Sequence, residues 1–141
     1  MGDQRWLDLL SEHDRIVRAQ LGRFRGSEIK MTGDGCVATF DGPARAIACA
    51  AALKVQLSSI GLEVRAGIHT GEVEMRGGEL GGIGVYIAAR VMAHAQDGGI
   101  LVSGTVKDLV VGSGIGFTAC GTVELKGVPS DWSLYELDSM S

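Results

Sequence analysis

Helix-like and strand-like patterns alternate along the whole chain of 141 residues. The first helix is the clearest, because apolar residues recur at three- and four-residue steps from Trp6 to Leu21 while charged residues occupy the other side. Similar patterns predict helices at about 3–24, 43–58, 83–96 and 104–110, and strands at 27–31, 36–40, 62–71, 72–75, 99–103, 116–125 and 132–137. This order indicates an α+β fold, an antiparallel sheet with helices packed on it.

The glycines predict how neighbouring strands connect. The tetrapeptide "TGDG" (residues 32–35) predicts a tight hairpin turn between the first two strands. We expect segment 72–75 to be the hairpin partner of segment 62–71, and the glycine-rich residues 77–82 to form a mobile loop. The stretch from Gly127 to Ser130 is typical of a turn between the last two strands.

Composition limits the kind of protein and its partners. The chain is 45% hydrophobic and 21% charged, which is ordinary for one globular domain covering residues 1–141. Its net charge of −4 argues against a nucleic-acid partner, and its longest apolar run (residues 46–53) is too short to span a membrane. Cys36, Cys49 and Cys120 have neither metal-ligand nor disulfide-framework spacing, so we expect a cytoplasmic protein.

Familiar catalytic motifs are absent from the sequence. There is no phosphate-binding loop of the G-x-x-x-x-G-K-[ST] type and no serine elbow. The three histidines, His13, His69 and His94, are scattered, and we expect structural or surface roles for them. Any nucleotide would therefore be held by a few placed cations, glycine amides or a metal.

The residue Asp34 in the "TGDG" turn has two interpretations. Aspartate followed by glycine is a favoured pair in tight hairpins, so a structural role in the turn is enough to explain Asp34. Alternatively, Lys30 lies four residues earlier, and a cation beside a carboxylate at a glycine turn suits a nucleotide and its metal ion. The turn alone does not decide between the two.

Four segments in order carry a family resemblance: "EIKMTGDGCVATF", "LEVRAGIHTGEVE", "GGIGVYIAARVMAHA" and "VELKGV". Together they resemble the catalytic domain of class III adenylate/guanylate cyclases, close to the actinobacterial branch, over residues 6–137. The resemblance implies a ferredoxin-like sheet, the nucleotide cyclase fold. It also implies conversion of ATP to cyclic AMP and pyrophosphate in cyclic-nucleotide signalling, with GTP as the alternative substrate.

The resemblance implies metal and purine contacts at a site between the subunits of a homodimer. Asp34 matches the second of two aspartates that bind Mg²⁺ or Mn²⁺. Lys30 matches the lysine that reads adenine. Glu79 falls where adenylate cyclases carry a residue that accepts from the adenine amino group, although it is one methylene longer than the usual aspartate.

The resemblance also implies groups that contact the phosphates. Arg90 matches the transition-state arginine, and Lys126 of "ELKG" matches the lysine that contacts the triphosphate. Tyr86 occupies the place of the transition-state asparagine, four residues before Arg90 and so on the same helical face. A phenol does not reproduce the geometry of a carboxamide donor.

The family's first strand, with the first metal aspartate, has no counterpart in the sequence. We therefore expect weak or no turnover in the chain as given, and a sheet that pairs with a swapped strand or a second chain. The alternative to an enzyme is a non-catalytic, cyclase-like module that dimerises or binds nucleotide. In that case the matched residues have ordinary roles: surface charges at Lys30, Glu79, Arg90 and Lys126, and a packing aromatic at Tyr86.

Overall fold

The computed structural model of the chain describes residues 3–32, 35–76, 79–128 and 130–139. Its helices are α1 (Asp3–Arg23), α2 (Pro43–Ser58), α3 (Ile83–Ala93) and α4 (Gly104–Leu109). Its strands are β1 (Ser27–Thr32), β2 (Gly35–Thr39), β3 (Ala66–Ile68), β4 (Glu74–Arg76), β5 (Glu79–Gly81), β6 (Ile100–Ser103), β7 (Gly116–Glu124) and β8 (Asp131–Ser139). None of the helices in these ranges is long and apolar enough to cross a membrane.

The first two strands form the predicted hairpin. β1 and β2 pair antiparallel, with Ser27 opposite Thr39 and Met31 opposite Cys36. A register shift between Glu28 and Lys30 marks a bulge in β1. Asp34, which was predicted at the tip, lies outside the described residues.

The larger sheet has four strands in the order β3-β6-β8-β7. β6, β8 and β7 pair antiparallel, whereas β3 and β6 are parallel and are joined through α3. A parallel pair needs such a crossover, because a tight turn can join only antiparallel neighbours. Among the described residues, the β1–β2 hairpin and this sheet are separate.

Two local predictions in the middle of the chain are wrong. The expected strand at 62–71 is reduced to the three residues of β3, and its partner is β6 rather than segment 72–75. β4 instead pairs with β5, with Arg76 opposite Glu79, so part of the expected mobile loop is a strand. The overlooked signal is the Gly-Gly pair at 77–78 between them, a sequence typical of two-residue hairpins.

Side chains alternate between the two faces of the large sheet. On β6, Ile100 and Val102 pack with Ile47 of α2 and Val106 of α4. Leu101, between them, packs with α3 residues on the opposite face. A period of two is what a strand covered on both faces produces. The sheet therefore separates α2 and α4 from α3.

A third apolar cluster joins α1 to α2 and the hairpin. Its buried members are Ile16, Val17, Leu21, Cys49 and Leu57. The hairpin contributes Ala38 and the following segment contributes Phe40. α1 thus buries the apolar face that its sequence period predicted, and it holds β1–β2 against α2.

Candidate functional site

The six predicted site residues fall in three parts of the molecule. Lys30 is on β1 and Glu79 is on β5, but the side chains of both lie outside the described structure, as does Asp34 altogether. Tyr86 and Arg90 are on α3, and Lys126 follows β7 in the turn that leads to β8. The structure brings Tyr86, Arg90 and Lys126 together. How Lys30, Asp34 and Glu79 lie relative to these three stays a prediction.

α3 packs against the large sheet through its apolar side. Ile87 and Val91 are buried against the large sheet, together with Leu101, Leu125 and Leu134. Tyr86 and Arg90 each come one position before a buried residue and lie four apart, so they share the side of the helix that meets the β7–β8 turn. Burial of one face therefore decides where the polar residues of α3 can point.

Tyr86 contacts the β7–β8 turn directly. Its hydroxyl donates a hydrogen bond to the backbone carbonyl oxygen of Lys126. Its ring lies beside Gly127, where an added Cβ would come within 3.3 Å of the tyrosine oxygen. Tyr86 is also 39% exposed, so it is partly a packing aromatic and partly a polar contact at the surface.

Arg90 and Lys126 line one cavity of about 620 Å³ between α3 and the turn. The Nε atom of Arg90 is buried and has no hydrogen-bond partner among the described residues. A buried guanidinium nitrogen without a partner is costly, since it has lost water and gained nothing in return. Arg90 also lines the cavity, and Arg suits phosphate because of its planar set of donors.

The cavity includes residues that the sequence analysis did not place in the site. They are His94, Glu124, Ser130 and Asp131. His94 lies four residues after Arg90, so the helical period extended past Arg90 could have found it. Glu124 and Asp131 are paired across β7 and β8 at the last register position before the turn, a relation that only the strand pairing reveals.

His69 has a structural place beside the large sheet. Its Nδ1 lies 2.7 Å from the Oγ of Ser103, which is fully buried, and its ring meets that of Trp132 edge-on with centroids 5.5 Å apart. Burial lowers the pKa of His69, which favours the neutral ring. The histidine therefore joins the end of β3 to β6 and β8.

A metal centre is not assembled by the described residues. They contain no group of three His, Cys, Asp or Glu side chains that could hold an ion. The predicted ligand Asp34 lies outside them. A metal site at the hairpin accordingly stays a prediction.

The sequence matches the family model of the adenylate and guanylate cyclase catalytic domain over residues 3–139. The chain belongs to this family. The resemblance seen in the four sequence segments is thereby confirmed.

A curated relative of this cyclase domain is described as "Putative adenylate cyclase 3" from Rhizobium meliloti (strain 1021). The two are 29% identical over 129 residues, which is 85% of this chain and 22% of the relative. The cyclase domain thus spans about a fifth of the length of that protein.

Solved structures of other cyclases share the fold. An adenylate/guanylate cyclase/hydrolase from Silicibacter pomeroyi superposes with a TM-score of 0.87 at 23% identity, covering 97% of this chain and 86% of that one. Adenylate cyclases from Trypanosoma brucei in their monomeric state give 0.84 at 23% identity, covering 95% and 79%. The predicted α+β, nucleotide cyclase fold is confirmed.

Proposed function

We propose that this cyclase domain converts ATP to cyclic AMP and pyrophosphate in the cytoplasm, as one domain that works in a homodimer. The observation that carries the proposal is that Arg90, whose buried Nε has no hydrogen-bond partner among the described residues, lines the same cavity as Lys126. Arg90 and Lys126 give the cavity two cationic groups that can pair with phosphate oxygens, beside the carboxylates of Glu124 and Asp131 in the same lining. The free cysteines Cys36, Cys49 and Cys120 support a reducing compartment.

The proposed reaction forms one bond and breaks another at the α-phosphorus. The ribose 3′-oxygen attacks the phosphorus and loses its proton, and the bond to the bridging oxygen breaks so that pyrophosphate leaves. Negative charge grows on the phosphoryl oxygens, where the guanidinium of Arg90 stabilises it. The ammonium of Lys126, on a flexible stem and exposed, binds the triphosphate as a point charge.

The hairpin would supply the metal and the purine contacts. Bound Mg²⁺ or Mn²⁺ neutralises phosphate charge and activates the attacking hydroxyl in such sites. We assign Asp34 as its carboxylate ligand, Lys30 as the adenine-reading group and Glu79 as the acceptor for the adenine amino group. ATP is the proposed substrate, and GTP is the alternative substrate, because the family includes guanylate cyclases.

A second candidate function is a module that binds nucleotide and dimerises without turnover. The hydroxyl of Tyr86 favours it, because its proton is donated to the backbone of Lys126 rather than left for a transition state. The two candidates share the cavity and differ only in the chemical step.

Self-association is part of the proposal. Among the described residues, β3 pairs on one side only, with β6, and the β1–β2 hairpin stands apart from the large sheet. An open strand edge is a template for a further strand, so a strand-swapped oligomer is the alternative to a simple homodimer. Light scattering over a wide concentration range tests both, since a monomer at every concentration contradicts either assembly.

The direct test measures cyclic AMP formed by the purified chain with ATP and Mn²⁺. We expect weak turnover that Asp34→Ala abolishes, because the loss of a catalytic metal carboxylate costs several kcal/mol of transition-state stabilisation. Asp41→Ala changes an aspartate that is exposed and is the matched control. ATP binding without turnover supports the second candidate, and neither binding nor turnover rejects both.

A further inference from the structure

The turn that carries Lys126 is held to α3 at two points. Beneath it, Leu125 is 2% exposed and packs with Ile87 and Val91 of α3. Beside it, the Tyr86 hydroxyl donates to the Lys126 carbonyl oxygen. Within the turn, the backbone nitrogen of Val128 donates to the carbonyl oxygen of Leu125 at 2.9 Å. The backbone at Lys126 therefore follows the position of α3.

The shape of the turn allows the aromatic ring to lie close to it. Gly127 has φ +81, a conformation that a residue with a side chain rarely adopts. Ring carbons of Tyr86 lie 3.8 and 3.9 Å from where a Cβ on Gly127 would be. Glycine at position 127 thus allows both the positive φ of the turn and the close approach of the Tyr86 ring.

The same tyrosine is one helical turn from Arg90. Residues four apart on α3 lie on one face, so the contact that holds Lys126 is adjacent to the guanidinium that lines the cavity. A phenol has a single proton to donate, and here it goes to a backbone carbonyl. The hydroxyl of Tyr86 is consequently engaged and does not face the cavity as a free donor.

We infer that Tyr86 is a positioning residue, which holds the backbone of Lys126 so that the ammonium of Lys126 and the guanidinium of Arg90 meet on one triphosphate chain. The inference rests on the proposed function, in which that cavity takes a nucleoside triphosphate. It gives position 86 a role through Lys126, distinct from a direct contact with the reacting phosphate.

The first test needs no nucleotide. Tyr86→Phe keeps the ring and removes the hydroxyl, so amide hydrogen exchange at Lys126–Val128 should become several-fold faster, and trypsin should cleave after Lys126 more readily. Tyr135→Phe changes the chain's other tyrosine, on β8, and is the matched control with wild-type exchange in the turn. Unchanged exchange in Tyr86→Phe overturns the inference.

The second test asks whether Tyr86 acts through Lys126. The probe is α,β-methylene ATP with Mn²⁺, titrated against the wild type, Tyr86→Phe, Lys126→Ala and the double variant. We expect Tyr86→Phe to weaken binding roughly 3- to 10-fold, the value of one hydrogen bond, and to weaken it no further once Lys126 is alanine. A residue that only stabilises the fold, or that contacts the nucleotide itself, would have the same effect in both backgrounds.

The outcomes separate this inference from the proposed function. Equal weakening in both backgrounds overturns the positioning role while nucleotide binding stands. A wild-type chain that does not bind the analogue overturns the proposed function and the role of Tyr86 in it, even if hydrogen exchange shows that the hydroxyl holds the turn.

Discussion

Gly67 of β3 lies directly against the backbone of α3: a Cβ on Gly67 would come within 2.3 Å of the nitrogen of Met92 and 2.5 Å of the carbonyl oxygen of Ala88. Both neighbours are backbone atoms, so no side chain can rotate to make room. The helix that carries Tyr86 and Arg90 is thus placed by a residue without a side chain.

Gly67→Ala should therefore destabilise the domain by about 1–3 kcal/mol or more, the usual cost of overpacking. Urea denaturation measures the free energy of unfolding. Gly22→Ala is the matched control, since a Cβ there meets no described atom within 4 Å and alanine in a helix should stabilise by roughly 0.5–1 kcal/mol. Equal stability of Gly67→Ala and the wild type would contradict the close approach.

Arg90→Ala should lower the turnover number about 100- to 1,000-fold, as loss of a donor to a developing oxyanion does. Arg90→Lys should recover little, because a lysine keeps the charge and lacks the planar set of donors. Cyclic AMP production under saturating ATP is the measurement. Arg5→Ala alters an exposed arginine on α1 and should behave as the wild type.

Lys30→Glu should shift purine preference from ATP toward GTP, because it exchanges a donor for an acceptor at the proposed base contact. The measurement is the ratio of ATP to GTP affinity. Lys54→Glu makes the same change at an exposed position of α2 and should leave that ratio alone. If Lys30→Glu also leaves it alone, Lys30 has no part in purine choice.

The domain should lose stability as the pH falls below the ordinary histidine pKa of 6.5. Burial lowers the pKa of His69 in the folded chain, so between that lowered value and 6.5 the unfolded chain binds a proton that the folded chain does not. The ring is only half buried, which makes the effect smaller than that of a full proton.

His69→Gln should flatten this part of the pH dependence, measured by urea denaturation between about pH 5 and 7.5. His94→Gln, at an exposed position just after α3, is the matched control and should keep the wild-type slope. An unchanged slope in His69→Gln would remove this histidine as the source.

The helices were the most predictable part of the fold. The three-to-four-residue period predicted α1 and the proline at position 43 predicted the start of α2, and the starts of α3 and α4 were also as expected. Local hydrogen bonding makes such segments readable from nearby residues alone. The pairing of β4 with β5 was missed because an alternating segment does not say which strand it pairs with.

The site was predictable in part, through the family resemblance of its sequence segments. The family resemblance singled out Tyr86, Arg90 and Lys126; the structure places Arg90 and Lys126 at one cavity and Tyr86 against the backbone of Lys126, and their roles stay predictions. The hydrogen bond from Tyr86 to the carbonyl of Lys126 joins residues 40 positions apart, and the sequence around neither residue predicts it. The roles of Asp34, Lys30 and Glu79 also stay predictions, because their side chains lie outside the described residues.

The sequence by itself determined the helices, the first hairpin and the cyclase family, because periodicity, turn residues and ordered motifs are properties of neighbouring residues. Only the tertiary structure decided that β3 lies parallel to β6, that α3 packs against Gly67, and that a buried Arg90 nitrogen has no hydrogen-bond partner in the part of the chain that the structure describes. These depend on contacts between distant parts of the chain, where packing and desolvation, rather than local preference, determine which atoms meet.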